Sequence, residues 1–226
     1  MRKGIITGSR GLIGKSVFNY FKNNYDLIEF DITLGDDLTD EEYVKKMFFE
    51  NKADFLINLF ALNDHIEVGR ENHENTLFDV SLNSFRKYLE VNLTALFSVC
   101  REFARNNSKG VIINFSSTYG MLSPRPHFYG SGEKHIGYGV SKSGVIQLTR
   151  HLATHLAPDF RVNCVVPGGV RHNQDTSFQK KYSQNTPLGR MMEPAEIIGV
   201  LEFLCSEKSS YATGGVFVID GGWSVI

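Results

Sequence analysis

Short apolar runs alternate along the chain with stretches in which apolar residues recur every three or four positions. The runs predict six buried strands, over 4–7, 26–32, 53–61, 110–117, 161–169 and 215–222. The periodic stretches predict helices over 12–24, 40–52, 83–107, 138–157 and 194–207. Such alternation is typical of a parallel sheet with helices on both faces. We therefore predict an α/β fold in which residues 1–226 form a single doubly wound domain.

The connection after the second predicted strand is unusually short. Only five residues separate Asp31, at the end of that strand, from Asp37. A doubly wound sheet commonly places a full helix and the start of a further strand at this point. We interpret ITLGDDL (32–38) as a shortened crossover from which that helix has been lost.

Composition and charge exclude several kinds of partner and site. The formal net charge of −1 provides no global field for nucleic acid or an anionic membrane, so we expect neither as a partner. Cys100, Cys164 and Cys205 are far apart, without metal or disulfide spacing, which predicts reduced, buried thiols and no metal site. The chain begins MRKGIITG and has no long apolar run, so we expect a cytoplasmic protein without a signal peptide.

Glycines punctuate the turn between the first strand and the first helix. In TGSRGLIG (7–14), glycines at 8, 11 and 14 allow a tight turn and a close approach of the backbone to a diphosphate at the helix N-terminus. The strand, turn, helix, strand and acidic residue follow in the order of a Rossmann-like dinucleotide site. The predicted cofactor contacts in this turn are Gly8, Ser9, Arg10, Gly11, Leu12, Ile13 and Gly14.

Two residues bear on the choice between NAD and NADP. Asp31 closes the second strand, where a carboxylate accepts hydrogen bonds from the adenosine ribose and repels a 2′-phosphate. Arg10 acts in the opposite direction, because a guanidinium pairs with phosphate. We give Asp31 the greater weight and expect NAD(H) to be preferred, with NADP(H) remaining possible.

Several segments together resemble the short-chain dehydrogenase/reductase family over nearly the whole chain. They are NLFA (58–61), VNLTALF (91–97), INFSSTYG (113–120), YGVSK (138–142), RVNCVVPGGV (161–170), PLGRMMEPAEI (187–197) and ATGGVFVIDGGWS (212–224). The resemblance implies hydride transfer with a nicotinamide cofactor, and a homo-tetramer or homo-dimer formed through the two long helices. It also implies cofactor contacts from Asn58, Ala61, Pro167, Gly168 and Val170, with Asp37 and Leu38 as the candidates left near the adenine by the short crossover.

Three tyrosines compete for the role of acid and base. A tyrosine has an ordinary pKa of about 10, which a nearby ammonium lowers. Tyr138 has Lys142 four positions later, on the same face of a helix, whereas Tyr129 has Glu133 there and Tyr119 precedes a glycine at a strand end. We therefore predict Tyr138 as the acid/base.

The other catalytic roles follow from the resemblance. Ser117 is implied to bind the substrate oxygen, with Ser116 as its structural neighbour. Lys142 is implied to hold the nicotinamide ribose, and Asn92 to hold a water molecule for proton relay. The unusual distance from Ser117 to Tyr138 indicates an insertion over about residues 122–136.

Basic residues gather in this insertion and in the substrate-side segment of about 168–190. We predict substrate contacts from Arg125, His127, Tyr129, Arg171 and His172, since guanidinium groups pair with carboxylates and phosphates. Solvated loop charge is an equally weighted interpretation. The insertion also resembles a bacterial subgroup associated with surface-glycan and nonulosonate sugars, which favours a polar, anionic sugar or nucleotide sugar as substrate.

Three alternatives remain open. A ketoacyl or small-alcohol reductase would have an apolar substrate loop, whereas this loop is polar. A sugar epimerase or dehydratase would use the same tyrosine without net release of NADH. A non-catalytic protein that senses dinucleotides would be expected to lose the Tyr138 and Lys142 pair, which is intact.

Overall fold

A computed structural model of the protein describes residues 1–63, 76–125, 128 and 134–226. In these residues six parallel strands form one sheet in the order β2-β1-β3-β4-β5-β6. The strands are β1 (Lys3–Thr7), β2 (Asp26–Phe30), β3 (Phe55–Asn58), β4 (Gly110–Phe115), β5 (Phe160–Pro167) and β6 (Val216–Ile219). The α-helices are α1 (Leu12–Phe21), α2 (Glu41–Glu50), α3 (Leu82–Leu89), α4 (Ala95–Asn106), α5 (Ile136–Leu156), α6 (Thr176–Gln184) and α7 (Ile198–Cys205).

Helices cover both faces of the sheet, which confirms the predicted doubly wound architecture. Because successive strand side chains point to opposite faces, Ile5 packs with α2, α4 and α5, while its neighbour Ile6 packs with α1 and α7. Both side chains are fully buried. Continuous apolar runs are therefore required in these strands, as the sequence indicated.

The shortened crossover is confirmed and leaves β2 at the edge of the sheet. A single 3₁₀ turn, Ile32–Leu34, follows β2, and α2 then leads to β3 on the other side of β1. The chain thus reverses direction across the sheet between β1 and β3. In open α/β sheets, ligands bind at the carboxyl ends of the strands beside such a switch point.

Two helical regions differ from the sequence prediction. The helix predicted over 83–107 is divided into α3 and α4 by a π-helical turn, Glu90–Thr94. Helix α6 was not predicted, because TSFQKKYSQ carries a weak apolar pattern, with Phe178 and Tyr182 as its large apolar residues. Asp175 starts it by accepting a hydrogen bond from the Phe178 N–H.

Several predicted ends were too long. Strand β3 spans Phe55–Asn58 instead of 53–61, and β2 ends at Phe30, after which Asp31 begins the 3₁₀ turn. No helix in the described part of the chain has both the length and the apolar character of a membrane span.

Candidate active site

At two glycines of the first turn, neighbouring backbone segments approach so closely that a side chain would not fit. Gly8 has a φ of +72°, and its N–H donates to the Phe30 carbonyl at 2.8 Å. A Cβ on Gly8 would lie 2.3 Å from the Phe60 nitrogen, and one on Gly14 would lie 2.1 Å from the Gly8 carbonyl oxygen. These two positions require glycine to join β1, α1 and the end of β3.

The start of α1 fits a phosphate group. No side chain caps this N-terminus, and its first turn, which includes Leu12 and Ile13, contains no acidic residue. A Cβ on Gly11, the N-cap residue, would meet only the Gly8 carbonyl oxygen at 3.4 Å, so open space lies beside the turn. An uncapped helix N-terminus with open space beside it suits the diphosphate of a dinucleotide.

Asp31 is 6% exposed at the end of β2. One of its carboxylate oxygens accepts from the Thr33 N–H at 2.9 Å and hydroxyl at 2.8 Å, and the other accepts from the Arg10 N–H at 2.9 Å. Burial opposes ionisation of Asp31, but these hydrogen bonds outweigh it and hold its pKa below the ordinary value. A charged carboxylate is therefore fixed next to the glycine turn.

Arg10 is paired with an acidic neighbour on β2. Its guanidinium forms an ion pair with Glu29, and the Ser9 hydroxyl donates to the other Glu29 oxygen at 2.8 Å. Glu29 was not predicted as a site residue. The sequence indicates it only through its position two residues before Asp31. Glu29 offsets the charge that would otherwise favour NADP.

The remaining candidates near the adenine occupy different environments. Asp37 is bonded to the Thr39 N–H at 2.9 Å, and Leu38 is buried in the core with α2. The Ala61 side chain is exposed after β3. Leu38 therefore offers its backbone, not its side chain, to a ligand.

A buried polar network crosses the sheet below the switch point. The Thr7 hydroxyl donates to the Asn58 oxygen at 2.9 Å, and the Asn58 amide donates to the Asn114 oxygen at 2.9 Å. The Asn114 amide in turn donates to the Thr149 hydroxyl at 3.1 Å. These bonds fix the carboxyl ends of β1, β3 and β4 relative to α5.

Ser117, Tyr138 and Lys142 lie together where β4 ends and α5 begins. Ser117 follows β4 and starts a 3₁₀ turn, and its side chain acts electrostatically on the Tyr138 hydroxyl. Lys142 is buried one turn further along α5, with its ammonium 6.0 Å from the centre of the Tyr138 ring. The Ser116 hydroxyl donates to the Lys142 carbonyl at 2.7 Å and so ties β4 to α5.

Burial sets the protonation of this cluster. It raises the pKa of Tyr138, and the nearby Ser117 side chain offsets only part of that rise. Burial also lowers the pKa of Lys142 to about 8. The ammonium donates to the Phe115 carbonyl at 2.8 Å, its one partner in the described residues, so its other N–H groups remain available to a ligand.

Asn92 lies in the π-helical turn between α3 and α4 and is 2% exposed. Its side-chain oxygen accepts from the Leu62 N–H at 2.7 Å, and its amide donates to the Leu62 carbonyl at 3.0 Å and to the Ser141 hydroxyl at 3.0 Å. The Asn92 side chain thus joins three elements around the cluster. The sequence analysis did not identify Ser141.

The end of β5 forms another wall of this region. The Gly168 N–H donates to the Ile219 carbonyl at 2.9 Å, and a Cβ on Gly168 would lie 2.8 Å from the Asp220 Cα. Pro167 is the last residue of β5, and Val170 forms an isolated parallel bridge with Met192. These contacts fix the segment at the carboxyl edge of the sheet.

Two of the predicted substrate residues, Arg125 and Arg171, are bonded to other parts of the chain. The Arg125 guanidinium lies 4.6 Å from the Trp223 ring and donates to the Ile226 carbonyl at 2.5 Å. Arg171 forms an ion pair with Glu193 at 2.7 Å, and His172 is exposed. His127 and Tyr129 lie outside the described residues. Substrate contact by these five residues stays a prediction.

A basic residue that was not assigned to the site does reach Tyr138. The Lys134 ammonium lies 4.5 Å from the centre of the Tyr138 ring and donates to the Asn63 side chain. In the sequence, Lys134 is distinguished only by its place among the basic residues of the insertion. The Tyr119 hydroxyl also influences Tyr138 electrostatically.

The cysteines are buried in the two core clusters that flank the sheet. All three cysteines are buried and unpaired, and burial raises the pKa of Cys100 to about 12. In residues 1–63, 76–125, 128 and 134–226, no three His, Cys, Asp or Glu side chains are grouped to hold a metal ion.

Known proteins resemble this chain in sequence and in structure. The family model described as enoyl-(acyl carrier protein) reductase matches residues 24–224. A 3-oxoacyl-(acyl-carrier-protein) reductase, FabG, from Aquifex aeolicus is 31% identical over 96% of this chain and 86% of its own length. A glucose 1-dehydrogenase from Gluconobacter oxydans is 31% identical over 82% of this chain and 70% of its own length.

A solved structure extends the similarity to the fold. The crystal structure of a short-chain dehydrogenase from Leptospira borgpetersenii with bound NAD+ has a TM-score of 0.88 at 29% identity, and the match covers 99% of this chain and 92% of the other. The chain therefore belongs to the short-chain dehydrogenase/reductase family of oxidoreductases.

Proposed function

We propose that this protein transfers a hydride between a nicotinamide cofactor, NAD(H) in preference to NADP(H), and a carbinol or ketone carbon of a polar, anionic sugar. The observation that carries this proposal is the cluster of Ser117, Tyr138 and Lys142 at the same edge of the sheet as the glycine turn. A buried acid next to a dinucleotide turn is the arrangement that carbonyl reduction requires.

The cofactor would be held along the carboxyl edge of the sheet. The N-terminus of α1 would bind the diphosphate, and the Asp31 carboxylate would accept from the adenosine ribose. The free N–H groups of the Lys142 ammonium would bind the nicotinamide ribose. The Leptospira relative binds NAD+, which supports the same class of cofactor here.

The chain's own contribution to the reaction is proton transfer and orientation. When bound, the nicotinamide supplies or accepts the hydride. In reduction, the Tyr138 hydroxyl gives its proton to the substrate oxygen, while the Ser117 hydroxyl holds that oxygen in place. In oxidation, the Tyr138 oxygen takes the proton from the carbinol. In both directions the Lys142 ammonium would stabilise the Tyr138 phenolate, which reduction produces and oxidation consumes.

The substrate class is inferred from one relative and from the basic residues of two segments. The glucose 1-dehydrogenase relative acts on a sugar, and the insertion and the segment after β5 carry Arg125, Lys134, Arg171 and His172. These residues favour a substrate with carboxylate or phosphate groups. The association with surface-glycan and nonulosonate sugars belongs to this same proposal, as does a cytoplasmic location.

An acyl thioester is the second candidate substrate. The Aquifex relative is a 3-oxoacyl-(acyl-carrier-protein) reductase and matches more of this chain than the sugar dehydrogenase does. Exposed apolar residues near the site, Met121 and Leu122, would suit an acyl chain. The reaction at Tyr138 would be the same, so the substrate is decided by assay.

The test measures NADH and NADPH absorbance with the purified protein and three matched sets of substrates: sugar acids, the corresponding neutral sugars, and 3-oxoacyl thioesters. We expect turnover with sugar acids to exceed turnover with the other two sets. Preference for the thioesters would replace the substrate proposal and leave the hydride-transfer proposal intact. Conversion of a sugar without net NADH change would indicate an epimerase or dehydratase, and cofactor binding without any conversion would support the dinucleotide-sensing alternative.

A further inference from the structure

We propose that Lys134 is a second cation of the active site, which stabilises the negative charge of the Tyr138 phenolate alongside Lys142. This inference deepens the proposed function, because it concerns the group that moves the proton. Its carrying observation is that the Lys134 ammonium is nearer to the Tyr138 ring centre, at 4.5 Å, than the Lys142 ammonium is, at 6.0 Å.

The Lys134 ammonium is held by a side chain from a loop. Its ammonium donates to the side-chain oxygen of Asn63, in the segment that follows β3. Asn63 is adjacent to Leu62, whose backbone is clamped by Asn92 through two hydrogen bonds, at 2.7 and 3.0 Å. The loop that holds the Lys134 ammonium is thus itself fixed by hydrogen bonds to Asn92.

Its backbone is fixed by the next residue. The His135 ring stacks on Tyr88 of α3 with the ring centres 4.2 Å apart, and its Nδ1 accepts from the Gly137 N–H at 3.0 Å. The other ring nitrogen is 2.9 Å from the Ser84 hydroxyl. His135 therefore caps α5 and secures Lys134 one turn before Tyr138.

The electrostatic consequence depends on every group that faces Tyr138. In the described residues these groups are Ser117, Tyr119, Lys134 and Lys142, of which the two lysines are the cations. An ammonium over an aromatic ring is attracted to it, and an opposite charge within about 4–6 Å favours the ionised form of a phenol. Lys134 thus opposes the effect of burial, which favours the neutral phenol.

Lys134 and Lys142 differ in their burial and in the segment of the chain to which they belong. Lys142 is buried, and its ammonium donates one hydrogen bond to the Phe115 carbonyl. Lys134 is only partly buried and belongs to the insertion, which we propose to contact the substrate. The insertion would in this way contribute to proton transfer as well as to substrate contact. Lys134 acts through Tyr138, so we assign it a positioning and charge-stabilising role.

The experiment is a pH titration of the cofactor-free protein followed by NMR of tyrosine labelled with ¹³C at Cζ, with Tyr138→Phe to assign the Tyr138 signal. In Lys134→Met we expect the midpoint of Tyr138 to move about one pH unit upward. Lys134→Arg, which keeps the charge, should remain close to wild type. Lys109→Met provides the control, because it removes an exposed lysine at the amino end of β4, the opposite edge of the sheet.

Equal Tyr138 midpoints in Lys134→Met and Lys109→Met would overturn the proposal. Should Lys134→Met fail to fold, Asn63→Ala serves instead, because it removes the acceptor that holds the ammonium but leaves every charge in place. An upward shift in Asn63→Ala supports the proposal, and an unchanged midpoint contradicts it. The titration requires no turnover, so its failure is distinguishable from failure of the hydride-transfer assay.

Discussion

At the scale of single residues, the site depends on which of several tyrosines an ammonium can reach. Tyr138 satisfies this condition through Lys142 on the same helix and through Lys134 on the insertion. The i, i+4 relation was visible in the sequence because helical geometry is local. The contact with Lys134 was not visible, because it depends on contacts between distant segments, among them the stacking of His135 on Tyr88.

Replacement of Tyr138 by phenylalanine removes the hydroxyl that moves the proton and keeps the ring. We expect Tyr138→Phe to lower kcat by about 10²- to 10⁴-fold, the range for loss of a general acid, while NADH binding measured by fluorescence is retained. Tyr129→Phe is the comparison variant and should keep its turnover. An inactive Tyr129→Phe together with an active Tyr138→Phe would reverse the assignment.

The pH dependence of reduction should follow Lys142, whose pKa burial lowers to about 8. At pH 7 its ammonium is charged and stabilises the developing phenolate. As the pH rises past about 8, the charge is lost while the Tyr138 hydroxyl stays protonated, because burial raises its pKa. We therefore expect kcat/KM for reduction to be level near neutrality and to fall above about pH 8, by up to about tenfold per pH unit.

Steady-state rates across this range, with Lys109→Met as the charge control, provide the measurement. The control should show the same profile as wild type. A reduction rate that stays level to about pH 10 would mean that the charge on Lys142 does not contribute to the reaction.

At the scale of secondary-structure elements, the end of β2 controls the choice of cofactor. Asp31 presents its charge beside the glycine turn, and Glu29 on the same strand engages Arg10, the one residue of the turn that would attract a 2′-phosphate. Strand β2 and the residue after it thus supply two carboxylates, of which Glu29 pairs with the Arg10 guanidinium. This arrangement strengthens the expectation of NAD preference that the sequence provided from Asp31 alone.

Asp31→Ala should shift the ratio of kcat/KM for NAD to that for NADP by about tenfold or more towards NADP, because a repulsion worth about 1.4 kcal/mol is removed. The control is Asp26→Ala, which removes an exposed carboxylate at the opposite end of the same strand and should leave the ratio unchanged. Preference of the wild type for NADP would show that Arg10 overcomes its pairing with Glu29. An unchanged ratio in Asp31→Ala would mean that Asp31 does not contact the ribose.

At the scale of the whole molecule, we propose a homo-dimer or homo-tetramer formed through α4 and α5. Most of the apolar residues that suggested this interface turn out to face the core, since Leu96, Phe103 and Val145 are buried. Phe97 is 42% exposed and lies in a groove between the two helices. The groove is lined by Phe97, Ala104, Leu152 and Leu156 together with Arg101 and Arg105. A second copy of the chain, placed on a two-fold axis, would cover this groove.

Phe97→Asp should weaken the assembly, because it removes the exposed aromatic ring from the groove and replaces it with a charge that must lose hydration on association. Light scattering at micromolar concentration measures the change. Phe49→Asp on α2 is the control, since Phe49 is 78% exposed on another surface. A wild-type monomer, or an assembly that survives Phe97→Asp, would contradict this placement of the interface.

The sequence by itself determined the fold class, the strands of the sheet, the glycine turn and the Ser117, Tyr138 and Lys142 cluster. Strand and helix periodicities are local properties, and residues at the carboxyl ends of parallel strands meet at one edge of the sheet. Tertiary structure alone decided the π-helical turn at Asn92, the engagement of Arg10 by Glu29, the diversion of Arg125 to Trp223 and the approach of Lys134 to Tyr138. Each of these depends on contacts between segments that are distant in the sequence, whose geometry no local pattern encodes.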